Sequence, residues 1–243
     1  MHIAGGAGPA KKGSGRVAGS KMLPVAVLIS GNGSNLQAII EAIQNQALSI
    51  EIRAVISSNP LAPGLQHAQK AGIHTQVFDH KTFANRPAFD TALQNAIDSF
   101  DPKLVVLAGF MRVLGTGFVS HYEGRMLNIH PSLLPAFTGL NTHQRALDAR
   151  VTEHGASVHF VTSELDSGPV IIHGRVPILS NDSAKTLAQR VLTVEHRIYP
   201  LAIHWFAEDR LQLTQGKVIF DGMPLTNPVN YKHEHHAQLY TPR

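Results

Sequence analysis

Two stretches are apolar at every position, and they constrain the fold more than any other feature: Val25-Ala26-Val27-Leu28-Ile29 and Leu104-Val105-Val106-Leu107-Ala108. Each is too short for a buried helix and lacks period-two alternation, so each reads as a strand covered on both faces. Such strands belong to parallel sheets with helices on both sides. The intervals agree. Leu36, Ile39, Ile40 and Ile43 recur at helical spacing, and a second strand is predicted over 52–56. A helix over 61–71 stops at Gly72, a short strand follows over 75–78, and Pro87 opens a helix with Phe89, Leu93, Ala96, Ile97 and Phe100 on its apolar face. Alternating strands and helices predict an α/β fold built on a doubly wound, mostly parallel sheet.

The far part of the sheet is expected to be mixed. Residues 156–162 alternate, with Ala156, Val158 and Phe160 facing one way and Ser157, His159 and Val161 the other. A turn at 164–168 then leads into a returning strand over 169–176, so the pair reads as a hairpin with an acidic tip. Ser183 caps a long helix running to about Phe206, with Leu187, Val191, Val194 and Ile198 on its stripe. Pro200 inside that helix predicts a kink or break at Tyr199. A hairpin at Asp221-Gly222 closes the domain. One domain is expected over 23–225, with a disordered extension or tag at 1–22 and a C-terminal tail at 226–243. In that tail, His233, His235 and His236 read as solvated rather than metal-binding.

Charge narrows the function classes. The formal net charge is +4, and residues 1–21, with Lys11, Lys12, Arg16 and Lys21 and no acid, carry all of it, so the remaining 222 residues balance at zero. A neutral body is not a surface that tracks nucleic-acid phosphates. No apolar run approaches the length of a membrane span. Cysteine is absent, which removes disulfides, thiolate nucleophiles and cysteine-ligated metals, and agrees with a cytoplasmic location.

After the first strand comes Gly31-Asn32-Gly33-Ser34-Asn35, then a helix. That order aims backbone N–H groups and the positive helix end at a ligand, commonly a phosphate. Leu36 stands where the dinucleotide fingerprint needs a third glycine, no acid follows the second strand, and no Gly-Lys-Ser/Thr is present. A monophosphate therefore suits the loop better than a dinucleotide. An ordinary strand–helix turn is the bland alternative.

A second unusual run is Met126-Leu127-Asn128-Ile129-His130-Pro131. On a strand, Asn128 and His130 share a face, and Pro131 ends the strand just beyond them. An amide and an imidazole are delivered side by side at a C-terminal strand end, where open α/β sheets bind ligands. This is a candidate catalytic pair. His143 and His159 read as packing or surface residues, and Asp166 alone as a turn acid.

Three segments together carry a resemblance: residues 30–35, residues 128–135 (Asn-Ile-His-Pro-Ser-Leu-Leu-Pro) and residues 164–170 (Glu-Leu-Asp-Ser-Gly-Pro-Val). They resemble the glycinamide ribonucleotide formyltransferase family over roughly residues 24–225. The resemblance implies a formyltransferase fold with a Rossmann-like N-terminal half. It implies transfer of a formyl group from the co-substrate 10-formyltetrahydrofolate to glycinamide ribonucleotide in purine biosynthesis. No metal is implied, and a homodimer is an allowed assembly. Asn128, His130 and Asp166 would be catalytic. Gly33, Ser34 and Asn35 would hold the ribonucleotide phosphate, and Glu195 its ribose hydroxyls. Arg86, Met111, Arg112, Val113, Leu114 and Asn128 would contact the folate. The chain departs from the family at Asn141, where a histidine is common.

The residue types suit that chemistry. An amide and a protonated imidazole donate to an oxyanion, and a carboxylate beside the imidazole favours its charged form and relays a proton. Rivals are a formyltetrahydrofolate hydrolase, expected to carry a regulatory domain before the first strand, and a tRNA formyltransferase, expected to carry a nucleic-acid-binding domain after the hairpin. A non-enzymatic nucleotide-binding module would not need Asn128, His130 and Asp166 together.

Overall fold

The structure, a computed structural model, describes residues 22–231. The expected extension and the histidine-rich tail segment lie outside the described residues. Strand β1 (Leu23–Ile29) leads into α1 (Ser34–Gln44), β2 (Ile50–Ser57), α2 (Gly64–Lys70) and β3 (Thr75–Val77). Next come α3 (Arg86–Asp98), β4 (Leu104–Leu107), α4 (Thr116–His121), β5 (Met126–His130) and α5 (Thr142–Asp148). The far part contains β6 (Glu153–Phe160), β7 (Val170–Pro177) and α6 (Ala184–Ala207). The chain finishes with β8 (Leu211–Thr214), β9 (Lys217–Phe220), β10 (Met223–Pro224) and β11 (Val229–Tyr231).

Eight strands form one sheet in the order β11-β7-β6-β5-β4-β1-β2-β3, and β8, β9 and β10 form a small second sheet. In the large sheet only β6 is reversed, pairing antiparallel with both β5 and β7. The expected doubly wound, mostly parallel sheet with a mixed far part is what the chain forms. Both faces are covered, as the apolar runs require. Val25, Val27 and Ile29 face a core shared with α1, α2 and α6, while Ala26 and Leu28 face a second core with α3 and α4.

Four boundaries differ from the sequence reading. Strand β6 starts at Glu153 and ends at Phe160, because both of its faces are buried and alternation alone marks only part of it. The tail expected from 226 contributes Val229–Tyr231 as an edge strand beside β7. Three residues are too few to show a period. Strand β8 adds a hairpin with β9, its turn at Gln215-Gly216 held by two left-handed residues. Helix α6 runs unbroken through Pro200. A proline inside a helix costs about 3 kcal/mol. Ile198, Tyr199, Leu201, Ala202, Ile203 and Trp205 around it are fully buried. At roughly 1.5–3 kcal/mol for each large side chain, that packing outweighs the penalty.

Tyr199 also ties α6 to the sheet. Its hydroxyl lies 2.9 Å from the Leu107 carbonyl and 3.0 Å from that of Leu127, on adjacent strands β4 and β5. One proton serves both acceptors in turn, in a region with no exposure. Tyr199→Phe is expected to destabilise the protein by about 1–2 kcal/mol, because it leaves buried carbonyls with one donor fewer. Urea unfolding with an unchanged m-value checks this.

Candidate active site

The site is assembled at the C-terminal ends of β1, β4 and β5. At the end of β1, the loop 31–33 turns into α1 through Gly33, whose φ of +71° is left-handed. A Cβ there would lie 2.5 Å from the Cα of Gly64, so only glycine fits. The Gly64 N–H in turn donates to the Gly31 carbonyl at 3.0 Å, and the start of α2 thus buttresses the loop. No side chain caps α1, and its first turn carries no acid. Its first N–H groups therefore remain suited to an anion.

Asn35, in that first turn, is buried and donates from Nδ2 to Glu195 Oε2 of α6 at 2.7 Å. The sequence leaves Glu195 as a solvated helix acid if read bare. The structure buries it, and burial pushes its carboxyl upward against the opposing bond from Asn35. Asn35 Oδ1 is buried without a partner. Asn35 and Glu195 thus meet between α1 and α6, and Gly33 and Ser34 lie at the start of the same helix.

Asn128 and His130 sit on β5, as the strand pattern predicts. Across from Asn128 on β6 stands His159, at 3.0 Å between Asn128 Nδ2 and His159 Nε2. His159 Nδ1 lies 2.8 Å from the Phe160 carbonyl, which can only accept, so Nδ1 carries the hydrogen. Burial holds the His159 ring below its ordinary range, partly opposed by that carbonyl. Neutral His159 therefore accepts at Nε2, and one Asn128 N–H is committed to it. The amide is fixed in orientation, with its second N–H free. The sequence reading treats His159 as packing. Its position opposite Asn128 was not legible without the strand register.

His130 is buried, with Nδ1 3.5 Å from Asp166 Oδ2 and Nε2 3.0 Å from the Phe137 carbonyl. Nε2 must donate to that carbonyl. A ring protonated on both nitrogens suits both partners. Asp166 has a left-handed φ of +51° in the turn between β6 and β7, and its Oδ2 also accepts the Gly139 N–H at 2.8 Å. The loop after Pro131 therefore touches both groups. Ser132 and Ser157 tether that loop: Ser157 Oγ donates to the Ser132 carbonyl and accepts the Leu134 N–H. Asn141 adopts φ +57° at the start of α5, a conformation asparagine tolerates well.

A pocket beside β4 and β5 is lined by Leu107, Phe110, Val113, Leu114, Val119 and Val161, with Arg112, Asn128, His159, Glu164 and Asp166 supplying polar groups to its wall. An apolar slot with a few convergent polar groups suits a flat heterocycle. Of the predicted folate contacts, Arg112, Val113, Leu114 and Asn128 line it. Met111 is exposed at its edge, and Arg86 lies outside the lining, near Gly115 and Asp90. His130 lies outside the lining too, and meets the pocket through Asp166. A larger cleft of about 410 Å³ lies between α1 and α6 around His196 and Arg197. It holds none of the predicted residues, whereas Asn128 and Asp166 line the smaller pocket. Among the described residues, no group of three or more histidines, cysteines or acids could hold a metal. No helix among them is long and apolar enough to cross a membrane.

Behind His130 lie His143 and His154, their rings 5.3 Å apart and edge to face. Burial drives the His154 ring down to about 4, and lowers His143 as well. Both have a folded-state affinity for protons below that of the unfolded chain. Their contribution to stability is complete above about pH 6.5 and is lost as pH falls from there toward 4. The melting temperature is expected to drop through that window. His154→Gln should flatten the drop, and an unchanged slope would remove His154 as its source.

A family model described as Formyl transferase matches residues 23–203. The phosphoribosylglycinamide formyltransferase of Escherichia coli K12 is 52% identical over 201 residues, covering 83% of this chain and 95% of the relative. That of Haemophilus influenzae is 44% identical over 204 residues, covering 84% and 96%. A solved phosphoribosylglycinamide formyltransferase of Coxiella burnetii, in complex with CHES, superposes with a TM-score of 0.84 at 55% identity, covering 87% of this chain and 100% of that one.

Proposed function

This chain belongs to the formyl transferase family, and from that membership and the site geometry we infer that it is a phosphoribosylglycinamide formyltransferase. It transfers a formyl group to the amine of glycinamide ribonucleotide, a step of purine biosynthesis. The observation that carries this reading is the convergence of Asn128, His130 and Asp166 beside an apolar pocket, with Asn128 oriented by His159. The donor is 10-formyltetrahydrofolate, a reading supported by a pocket whose apolar wall suits a flat ring system and which also presents Asn128 and Asp166. The bound folate supplies a formyl group on a nitrogen that can leave. The lack of cysteine supports a cytoplasmic enzyme. Assembly as a homodimer rests on family resemblance alone.

The residues divide the work. The α1 N-terminus with Gly33, Ser34 and Asn35 binds the phosphate, and Glu195 takes the ribose hydroxyls. Arg112, Val113 and Leu114 hold the folate, with Met111 and Arg86 at the margin. The free N–H of Asn128 donates to the formyl oxygen as the amine attacks the formyl carbon and negative charge grows on that oxygen. His130 as the imidazolium exchanges its Nε2–H from the Phe137 carbonyl to the bound folate, adds a charged donor there and gives that proton to the departing folate nitrogen. Asp166 holds the imidazolium and accepts, through water, the proton lost by the attacking amine. A donated and an accepted proton balance, and no covalent enzyme intermediate forms.

Incubation with 10-formyltetrahydrofolate is expected to release tetrahydrofolate only when glycinamide ribonucleotide is present. Release without it would mark a hydrolase. Asp166→Asn should lower kcat by roughly 10²–10⁴-fold with both KM values little changed, since the loss lies in the transition state. Asn35→Ala should raise the KM for the ribonucleotide by about tenfold and leave that for the folate alone, because it loses a positioned polar contact of about 1.4 kcal/mol. Equal effects on both substrates would move Asn35 out of the phosphate site.

A further inference from the structure

Ser30 stands between the two halves of the site and belongs to neither. It is the last residue before the 31–33 loop. Its Oγ accepts the Met111 N–H at 2.8 Å and lies 2.7 Å from Ser58 Oγ. Its own N–H donates to the Gly109 carbonyl at 3.1 Å. One serine thus grips the segment 109–111 at both ends, just where that segment opens into the pocket wall Arg112–Leu114.

That wall has little else to hold its outer part. Met111, Arg112 and Val113 are exposed, and only Leu114 is buried. Ser30 is fixed from the other side. Met111 occupies one lone pair of its hydroxyl, so its proton goes to Ser58, or it receives that of Ser58. Ser58 is buried, its N–H donates to the Ile29 carbonyl at 3.2 Å, and its own carbonyl accepts from His80 Nδ1 at 3.3 Å. Asn59 Nδ2 donates to the Ser30 carbonyl at 3.3 Å. The chain then passes directly from Ser30 into Gly31–Gly33, which α2 buttresses.

We propose that Ser30 is a positioning residue that couples the two substrate subsites, so that each substrate tightens the binding of the other. The inference rests on the function proposed above. A phosphate on the α1 N-terminus adds a further tie to the buttressed loop continuous with Ser30. An ordered Ser30 holds residues 109–111 in one place, and the folate then meets a wall whose ordering cost has already been met. By linkage, the factor by which the ribonucleotide raises folate affinity equals the factor in the reverse direction.

The test is calorimetric titration with tetrahydrofolate, which carries no formyl group to transfer, with and without saturating glycinamide ribonucleotide. The unaltered protein is expected to show roughly fivefold to tenfold tighter folate binding in the presence of the ribonucleotide. Ser30→Ala should bring that factor to within about twofold of unity while ribonucleotide affinity measured alone stays within about twofold. Ser30→Thr, which keeps the hydroxyl, should restore the factor. A purely packing role would weaken binding without changing the ratio. Should Ser30→Ala fail to fold, Ser58→Ala removes the second hydroxyl and should at least halve the factor. An unchanged ratio in either folded alanine variant overturns the coupling role, as does a ratio of one in the unaltered protein. An unaltered protein that binds neither ligand overturns the function itself, and this inference with it.

Discussion

Asn128 and His159 face each other across two strands that run in opposite directions, and the site depends on that one cross-strand pair. A parallel neighbour would need a crossover connection on the far side of β5. The reversed β6 instead connects to β7 through the loop 161–169, and that loop brings the Asp166 carboxylate to His130. The single antiparallel strand is therefore what lets three functional groups from two chain directions meet. Register carries the arrangement: slipping β6 by one residue would face Asn128 with Val158 or Phe160, neither of which offers an acceptor side chain.

Around that pair the polar groups are satisfied in layers. His159 is neutral because it is buried, and because it is neutral it accepts from Asn128. Asp166 is held by the Gly139 N–H and His130 by the Phe137 carbonyl, both from the same loop. Phe137 reaches that position with a left-handed φ of +55°, an uncommon conformation for an aromatic residue. The Arg145 guanidinium lies over the Phe137 ring and donates to the Thr138 carbonyl at 2.5 Å, which holds the segment in place. Backbone that is unfavourable on its own is kept where two functional side chains need partners.

Much of this was legible in the sequence for identifiable reasons. Short continuous apolar runs read as strands buried on both faces, and Ser183 caps α6 as expected. Asn128 and His130 were visible because period two and Pro131 are local properties. What was not legible depends on partners remote in the chain. Glu195 looks like any exposed helix acid until α1 is packed against α6. His159 looks like one of fifteen histidines until register sets it against Asn128. Pro200 argues for a break until the fully buried side chains around it are counted. Edge strand β11 is too short to leave a pattern.

The bond between Asn35 and Glu195 joins residues 160 positions apart. On the ribosome, the 31–35 segment emerges early with the first strand and helix. Its carboxylate partner appears only after α6 has been made, near the end of the domain. Nascent chains fold as units once their long-range contacts become available. A partly synthesised chain thus carries Asn35 but lacks the carboxylate it bonds. Under the function proposed above, competence to bind the ribonucleotide arrives as one of the last events of biosynthesis, when nearly the whole domain has left the ribosome.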